Sequence, residues 1–233
     1  FVFKANRHEY VAAHALTRMI LSSVAARAGG GEVSPGAWRF ARRSGHKPRL
    51  LGPDVGVRLA FNLSHTVGRV AVAATAGGLD LGVDVEAVDR RVDPGLAAQY
   101  FTHGEIEWLE SRPQRIRSMA FLRLWTLKEA YLKAHGGGLS AGLDSIGFDL
   151  SGPAPRIVAG EAVPAMWWFR QWVLAADSGG SNDGEPNGCG QGDCGPPAGE
   201  GGGHVLALAG HGCRSARNLA LHRLAAWSAP DGA

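Results

Sequence analysis

The chain has 233 residues, a formal net charge of +3 and 45% apolar residues, values that fit one large or two small globular domains and exclude wholesale disorder. Its three Cys cannot form a paired disulfide framework, so a small disulfide-bonded secreted fold is excluded and a reducing, cytoplasmic compartment is favoured. No apolar run reaches the roughly 18 to 20 residues that span a bilayer, so we predict no membrane segment. Phe1 is not an initiator residue, which leaves an upstream organellar targeting segment open.

The beginning of the chain predicts one amphipathic helix followed by strands. A capping pattern starts at Asn6, and apolar residues then recur at helical spacing as far as Gly29. In the next segments apolar residues alternate or run continuously, and Gly77-Gly78 is typical of a tight turn. The three predicted strands are residues 57–65, 69–76 and 79–86.

Later in the chain the apolar period becomes helical. Thr102 and Glu105 have the spacing of a capping box. A long helix is predicted from about Gln114 to His135, where a run of Gly ends it. The remaining predicted strands are residues 147–150, 167–175 and 204–210, of which the last two form a hairpin.

This order of elements predicts an α+β fold with two comparable halves, residues 1–78 and 79–233. Residues 177–203 hold 11 of the 34 Gly, five acidic residues and no basic residue. Because such a segment has too little apolar surface to offset the entropy of ordering it, we interpret it as a flexible insertion in the last hairpin. We expect deletion of residues 179–202 to leave activity nearly unchanged, and the rest of the chain is correspondingly more basic.

Asp84 and Glu86 are two residues apart on a predicted strand, which places both carboxylates on the same face. Two adjacent like charges repel each other, and a divalent cation between them removes the repulsion. Hard carboxylate oxygens on a rigid strand suit Mg²⁺, which completes its shell with water and substrate phosphates. The pair also fits an ordinary solvent-facing strand edge, and these two residues alone do not decide between the interpretations.

The predicted long helix carries a stripe of residues at steps of four. Its members are Phe121, Trp125, Glu129 and Lys133. The carboxylate and ammonium groups of this stripe can reach a phosphate site. The alternative is an aromatic core contact continued by a Glu to Lys surface pair worth roughly 0.2 to 0.5 kcal/mol.

Ser64 and His65 end an alternating strand, where side chains are commonly presented to ligands. A hydroxyl and an imidazole there suit phosphate oxygens, and a satisfied structural His is the alternative. Because a catalytic triad needs members from separate places in the fold, two adjacent residues argue against a hydrolase.

The segment 39–49 is rich in basic residues, which favours either a phosphate-binding surface or a solvated loop. No Gly-rich dinucleotide-binding pattern follows a predicted strand and no P-loop occurs, so any nucleotide is held in another way. No nucleic-acid-binding signature accompanies the basic run, and we predict no nucleic acid partner.

Three motifs in this order resemble those of the 4′-phosphopantetheinyl transferases: FNLSHT at 61–66, GVDVE at 82–86 and LWTLKEAYLKAHGGGLS at 124–140. The chain is similar in particular to the large Sfp-like class, a single-chain pseudo-dimer, from the first helix to about Gly210. The resemblance implies that family's α+β fold, with two similar halves related by a pseudo-twofold axis. It also implies holo-acyl-carrier-protein synthase activity. In this reaction the 4′-phosphopantetheine arm of coenzyme A is transferred to a serine of an apo acyl or peptidyl carrier protein, and adenosine 3′,5′-bisphosphate is released.

The resemblance also implies roles for the acidic motifs. Asp84, Glu86 and Glu129 would hold Mg²⁺ against the diphosphate of coenzyme A. Asp84, Glu129 and Lys133 are the implied catalytic residues, with Lys133 stabilising the phosphate on the leaving side. Glu129 is the implied base, and whether its side chain or a metal-bound water takes the serine proton stays open.

Four residues are implied to contact the phosphates of coenzyme A. Ser64 and His65 come from the FNLSHT motif, Lys133 from the helical motif, and Lys47 from an HKP segment that resembles the family's GKP. Lys47 would face the 3′-phosphate.

The basic balance suits the partners that the resemblance implies, because coenzyme A is polyanionic and carrier proteins of this kind are acidic. Charges around the long helix are candidates for docking the carrier, although such charges usually form just a solvated helix face: Arg112, Arg115, Arg117, Arg123 and Lys128.

We expect a monomer. The chain begins inside the first helix region of the family, so an upstream strand and basic residues near the adenosine are expected to be missing from it. A non-catalytic relative that binds coenzyme A or a nucleotide is therefore the alternative function. The carrier that is served and the tolerance for acyl-coenzyme A stay open.

Overall fold

The computed structural model describes residues 4–41, 47–93, 95–136, 142–159, 166–174 and 203–211. Residues 177–202 of the predicted insertion, with Cys189 and Cys194, lie outside the described residues. Among the described helices, none is both long enough and apolar enough to span a bilayer. The helices are α1 (Lys4–Arg27), α2 (Gly95–Tyr100), α3 (His103–Glu110) and α4 (Gln114–His135). The strands are β1 (Arg39–Ala41), β2 (Arg49–Gly52), β3 (Leu59–Thr66), β4 (Arg69–Ala76), β5 (Asp80–Ala87), β6 (Gly147–Asp149), β7 (Arg156–Ala159), β8 (Trp167–Leu174) and β9 (His204–His211).

Helix α4 has the predicted bounds, and the reasons are local. Pro113 precedes the first turn, where its missing N–H costs nothing. Gly136 adopts a left-handed conformation (φ 80°), and its N–H donates to the Leu132 carbonyl, which closes the last turn. The predicted capping box at the start of α3 is confirmed too, since Thr102 and Glu105 hydrogen bond reciprocally.

The N-terminal half is a helix on a hairpin. Strands β3 and β4 pair antiparallel over eight residues each, and α1 lies across them. The core between them contains Leu21, Trp38 and Phe61. Trp38 is 1% exposed, and its Nε1 donates to Ser22 Oγ at 2.9 Å, so the indole is both packed and hydrogen bonded.

The C-terminal half repeats the arrangement of a helix on antiparallel strands. Strands β5, β9 and β8 form a sheet in that order, and the predicted hairpin of β8 with β9 is confirmed. Helix α4 packs across this sheet, and its apolar face supplies the larger core, with Leu122, Leu124 and Leu127 all at most 1% exposed. The predicted α+β class is thus confirmed, while the pseudo-twofold relation and the domain boundary stay predictions.

Two parts of the prediction were incomplete. The basic segment 39–49 was given as a phosphate-binding surface or a solvated loop, and its described residues include β1 and Arg49, the first residue of β2, which pairs antiparallel with β1. Helix α2 and strand β7 were also missed. All four elements have six or fewer residues, so their local periodicity is weak, and the strands among them depend on pairing with distant partners.

Strand β3 lies beside β5, where the two halves meet. The Asn62 side chain, 7% exposed, accepts a hydrogen bond from the Val83 N–H at 2.8 Å. Further along the same strands, Ser64 contacts Asp84 and Thr66 contacts Glu86. The residue numbers of the contacting pairs increase along both strands, so β3 and β5 run in the same direction. Hydroxyls of β3 therefore face carboxylates of β5.

Gly82 allows α4 to lie directly on β5. A Cβ atom at Gly82 would overlap the Ala130 carbonyl oxygen and the Ala134 amide nitrogen of α4. These are backbone atoms, so the overlap is relieved only if the helix moves away from the strand. Gly82 therefore sets the distance between the two elements that carry the acidic motifs.

Gly82→Ala is expected to lower the free energy of unfolding by about 1 to 3 kcal/mol, because overpacking forces a backbone shift. Urea denaturation measures this effect. Gly104→Ala is the matched control, since a Cβ at Gly104 in α3 meets nothing within 4 Å and should leave stability unchanged or higher. Equal stability of the two variants would contradict the close-packing argument.

Candidate active site

A cavity of about 600 Å³ opens where α1, β3, β5 and α4 meet. The wall from the N-terminal half mixes apolar side chains such as Ala13, Phe40 and Phe61 with polar ones such as Asn62 and Ser64. The wall from the C-terminal half carries most of the charges. The charged residues of the lining are Glu9, Asp84, Glu86, Arg90, Glu129 and Lys133.

Asp84 is the most enclosed of these charged groups, with 4% exposure. Its Oδ1 accepts hydrogen bonds from Ser64 Oγ at 2.8 Å and from Lys133 Nζ at 2.6 Å. Lys133 Nζ also donates to Ser64 Oγ at 2.9 Å, so the three groups form a closed triangle. Burial raises the pKa of Asp84 above its ordinary value, although the Lys133 charge opposes the shift.

The second oxygen of Asp84 is unsatisfied. Within the described part of the chain, the buried Oδ2 atom has no hydrogen-bond partner. A buried carboxylate oxygen without a donor costs free energy, which a bound cation or water removes.

Glu86 lies two residues further along β5 on the same side, as its spacing predicts. Its carboxylate forms an ion pair with Arg90 and accepts a weak hydrogen bond from Thr66 Oγ1 at 3.4 Å. Burial and then the negative charge of Asp84 raise the pKa of Glu86. The two carboxylates of β5 therefore disfavour each other's charge, as expected for neighbouring acids without a cation between them.

Helix α4 brings the other half of the site. Trp125, Glu129 and Lys133 line the cavity at successive helical steps of four, while Phe121 of the same stripe is buried in the core. Burial raises the pKa of Glu129, and the Asp84 charge raises it further, so the helix and strand carboxylates interact electrostatically. Trp125 stacks on Phe121 with ring centroids 5.9 Å apart, which fixes the helix face toward the cavity.

Three of the four predicted coenzyme A contacts line the cavity, and the fourth does not. Ser64 is buried against Asp84, His65 is exposed at the rim, and Lys133 bridges Ser64 and Asp84. Lys47 lies outside the described lining, and its Nζ donates to the Leu81 carbonyl at 2.6 Å. Burial lowers the pKa of Lys47, partly opposed by the Asp80 charge.

Lys128 was predicted to dock a carrier protein, and this prediction is wrong. Its side chain is 0% exposed, and its Nζ pairs with Glu105 Oε2 at 2.7 Å. The same ammonium donates to the Leu143 and Ile146 carbonyls at 2.7 and 2.6 Å. Arg115 of the predicted docking set is exposed, whereas Arg123 donates to Gln171 Oε1 at 2.9 Å.

Arg90 lines the cavity and pairs with Glu86, but it was not predicted from the sequence. It follows the end of β5 by three residues, where no helical or strand period marks its direction. The only available signal was its spacing of four from Glu86. Thr66, at the end of the FNLSHT motif, was likewise missed as a partner of Glu86.

The residue chemistry fits a hard divalent cation. The described residues contain no ready-made group of three or more His, Cys, Asp or Glu side chains placed to hold a metal. Nevertheless, Asp84, Glu86 and Glu129 border one cavity, the charge of Asp84 raises the pKa of the other two, and Asp84 has an unsatisfied buried oxygen. Carboxylate oxygens of this kind are the ligands that Mg²⁺ takes in phosphate-binding sites.

Comparison with known proteins shows which class of protein the chain is similar to. A family model described as the 4′-phosphopantetheinyl transferase superfamily matches residues 80–178, which include β5, α4 and β8. This part of the chain is therefore similar to the superfamily that the motifs resemble, which supports the prediction.

Individual relatives carry the same description. The chain is 34% identical over 141 residues to the 4′-phosphopantetheinyl transferase HetI of Nostoc sp., a match that covers 60% of this chain and 56% of that protein. It is 34% identical over 97 residues to the transferase gsp of Aneurinibacillus migulanus, covering 42% of this chain and 40% of the relative. The chain therefore spans about half the length of the curated relatives it matches. Among solved structures, the holo-(acyl-carrier-protein) synthase of Thermotoga maritima superposes with a TM-score of 0.39 and 18% identity, over 58% of this chain and 64% of that one.

Proposed function

We propose that this chain is an Sfp-like enzyme that transfers the 4′-phosphopantetheine arm of coenzyme A to a serine hydroxyl of an apo acyl or peptidyl carrier protein. The observation that carries the proposal is the convergence of Asp84 and Glu86 from β5 with Glu129 and Lys133 from α4 on one cavity. Two elements from distant parts of the sequence supply complementary charges to the same space. Phosphoryl transfer needs little else, since it depends on positioning and charge neutralisation.

The three carboxylates would hold Mg²⁺ in this cavity. When bound, the ion neutralises charge on the diphosphate oxygens and offsets the repulsion among Asp84, Glu86 and Glu129. Ser64 keeps Asp84 in place through its hydroxyl hydrogen bond, so it orients a metal ligand in addition to facing the cavity.

The remaining roles fall to side chains of the chain itself. Glu129 accepts the proton of the attacking serine, and its raised pKa makes it a better base than an exposed carboxylate. The serine oxygen forms a bond to the phosphorus on the pantetheine side, and the bond from that phosphorus to the bridging oxygen breaks. Adenosine 3′,5′-bisphosphate leaves, with Lys133 stabilising the charge that develops on its phosphate.

Coenzyme A binding is assigned to the cavity rim. His65 and Ser64 face the phosphates, and Lys47 faces the 3′-phosphate after it leaves the Leu81 carbonyl. The sequence-based predictions of an acidic carrier partner, a monomeric state and a cytoplasmic location stay predictions. Arg115 is an exposed residue of α4 that suits an acidic partner by charge.

Incubation of the chain with coenzyme A, Mg²⁺ and an apo carrier protein tests the proposal. Intact mass spectrometry of the carrier is expected to show the gain of one phosphopantetheine group. A carrier whose acceptor serine is changed to alanine is the control and should gain nothing. If coenzyme A binds and no transfer occurs with any of a panel of acyl and peptidyl carriers, the proposal is wrong and the chain is a non-catalytic binding relative.

A further inference from the structure

Arg90 is a cation of the cavity to which the proposed function assigns no role. It lies three residues after the end of β5, and its side chain is 41% exposed. It lines the cavity together with the carboxylates and pairs with Glu86. Its positive charge also reaches Glu129, whose pKa it lowers slightly against the larger effect of burial.

Asp84 and Glu86 are held in the same way. Lys133 pairs with Asp84 and Arg90 pairs with Glu86, and both cations line the cavity that the carboxylates border. Each carboxylate of β5 thus has its own counter-ion. A divalent cation that binds Glu86 competes with Arg90 for that carboxylate, whereas Asp84 still offers its Oδ2 atom, which has no hydrogen-bond partner in the described part of the chain.

The charge of the cavity shows why its two cations matter to an anionic substrate. Counted as ionised, the lining holds four carboxylates, from Glu9, Asp84, Glu86 and Glu129, and two cations, a formal charge of −2. A divalent cation brings this charge only to zero. If either cation is lost, a net negative charge faces an anionic substrate, which disfavours binding.

We propose that Arg90 is an exchangeable counter-ion: it neutralises Glu86 in the metal-free chain and binds a phosphate oxygen of the substrate once a divalent cation occupies Glu86. The second half rests on the proposed function. A guanidinium presents a planar fork of donors that matches phosphate oxygens, which an ammonium does not. The partial exposure of Arg90 leaves its side chain free to turn without unpacking a core.

A purely structural ion pair predicts a different result from an exchangeable one. If Arg90 only holds Glu86 in position, its removal weakens metal binding and anion binding together. If Arg90 competes with the cation for Glu86, its removal strengthens binding of the metal alone and weakens binding of the anion. The two effects then have opposite signs.

Arg90→Ala tests this, with Arg91→Ala as the matched control because Arg91 is exposed and lies outside the described lining of the cavity. The first measurement is the affinity of the metal-free chain for Mn²⁺, used as a probe for Mg²⁺, by electron paramagnetic resonance. Arg90→Ala is expected to bind Mn²⁺ about threefold tighter or more than the wild type and the control.

The second measurement is calorimetric binding of coenzyme A, and separately of inorganic pyrophosphate, at saturating Mn²⁺. Arg90→Ala is expected to bind both about tenfold more weakly or worse, because a charge-assisted hydrogen bond is lost. Arg90→Lys, which keeps the charge without the fork, should recover part of this loss.

Unchanged or weaker Mn²⁺ binding by Arg90→Ala overturns the counter-ion role. Tighter Mn²⁺ binding with unchanged affinity for both anions overturns the phosphate role. If the wild type binds pyrophosphate but not coenzyme A, the proposed function fails, and the pyrophosphate comparison still decides the role of Arg90. If the wild type binds neither anion, both the proposed function and the phosphate role are overturned.

Discussion

Asp84→Asn is expected to lower the rate of phosphopantetheine transfer at least about 100-fold while the chain stays folded. The change removes the carboxylate at the centre of the Ser64 and Lys133 triangle but keeps its size. Because burial already disfavours the charge of Asp84, a neutral amide costs the fold little. Lys133 is 28% exposed, so water can solvate its ammonium in the variant.

Glu129→Gln should cause a comparable loss for a second reason, since it removes both the proposed base and a proposed metal ligand. Glu110→Gln is the control for both variants, because Glu110 is an exposed carboxylate of α3 outside the described lining of the cavity. Initial rates come from intact mass of the carrier, and thermal unfolding checks that each variant is folded. Turnover at the control rate by either cavity variant would refute the assignment of these carboxylates.

Local signals in the sequence were sufficient for the elements that carry the site. Helix α4 was predicted with its bounds because Pro113 and Gly136 mark its ends, and β5 because its apolar residues alternate. The two spacings within these elements, two residues on a strand and four on a helix, place side chains on one face by geometry alone. The carboxylates and Lys133 could therefore be named before their neighbours were known.

Contacts between distant elements were not available from these signals. The carbonyl that holds Lys47 belongs to β5, and nothing near Lys47 in the sequence indicates this partner. Ser64 was predicted only as a phosphate contact. Its hydrogen bond to Asp84 was not predicted, because it depends on β3 and β5 lying side by side. Arg90 follows a strand end, where backbone direction is set by packing and not by period.

Lys128 was misjudged although a signal existed. It lies four residues after Leu124 and four before Leu132, and both leucines are buried on α4. That spacing places Lys128 on the apolar face of the helix, where a charge requires a partner. The partner is Glu105. Its spacing from Thr102 predicted only a capping-box role at α3, so its second contact, with Lys128, was not expected.

Lys128→Met is accordingly expected to lower the free energy of unfolding by about 3 to 5 kcal/mol, the largest effect on stability among these variants. The change leaves the Glu105 carboxylate, 3% exposed, without its cation, and removes the ammonium donor from the Leu143 and Ile146 carbonyls. Urea denaturation measures the loss, and Arg115→Met on the exposed face of α4 should stay within about 0.5 kcal/mol of the wild type.

The double variant Glu105→Gln with Lys128→Met separates the cost of an unpaired charge from the cost of lost packing. Gln keeps an oxygen to accept the Phe148 N–H, which now donates to Glu105 Oε1 at 2.9 Å, but carries no charge. If the destabilisation comes from the buried unpaired carboxylate, the double variant should be more stable than Lys128→Met alone. A double variant as unstable as the sum of the single variants would show that Lys128 acts through its carbonyl contacts, which tie the segment after α4 back onto the helix that presents Glu129.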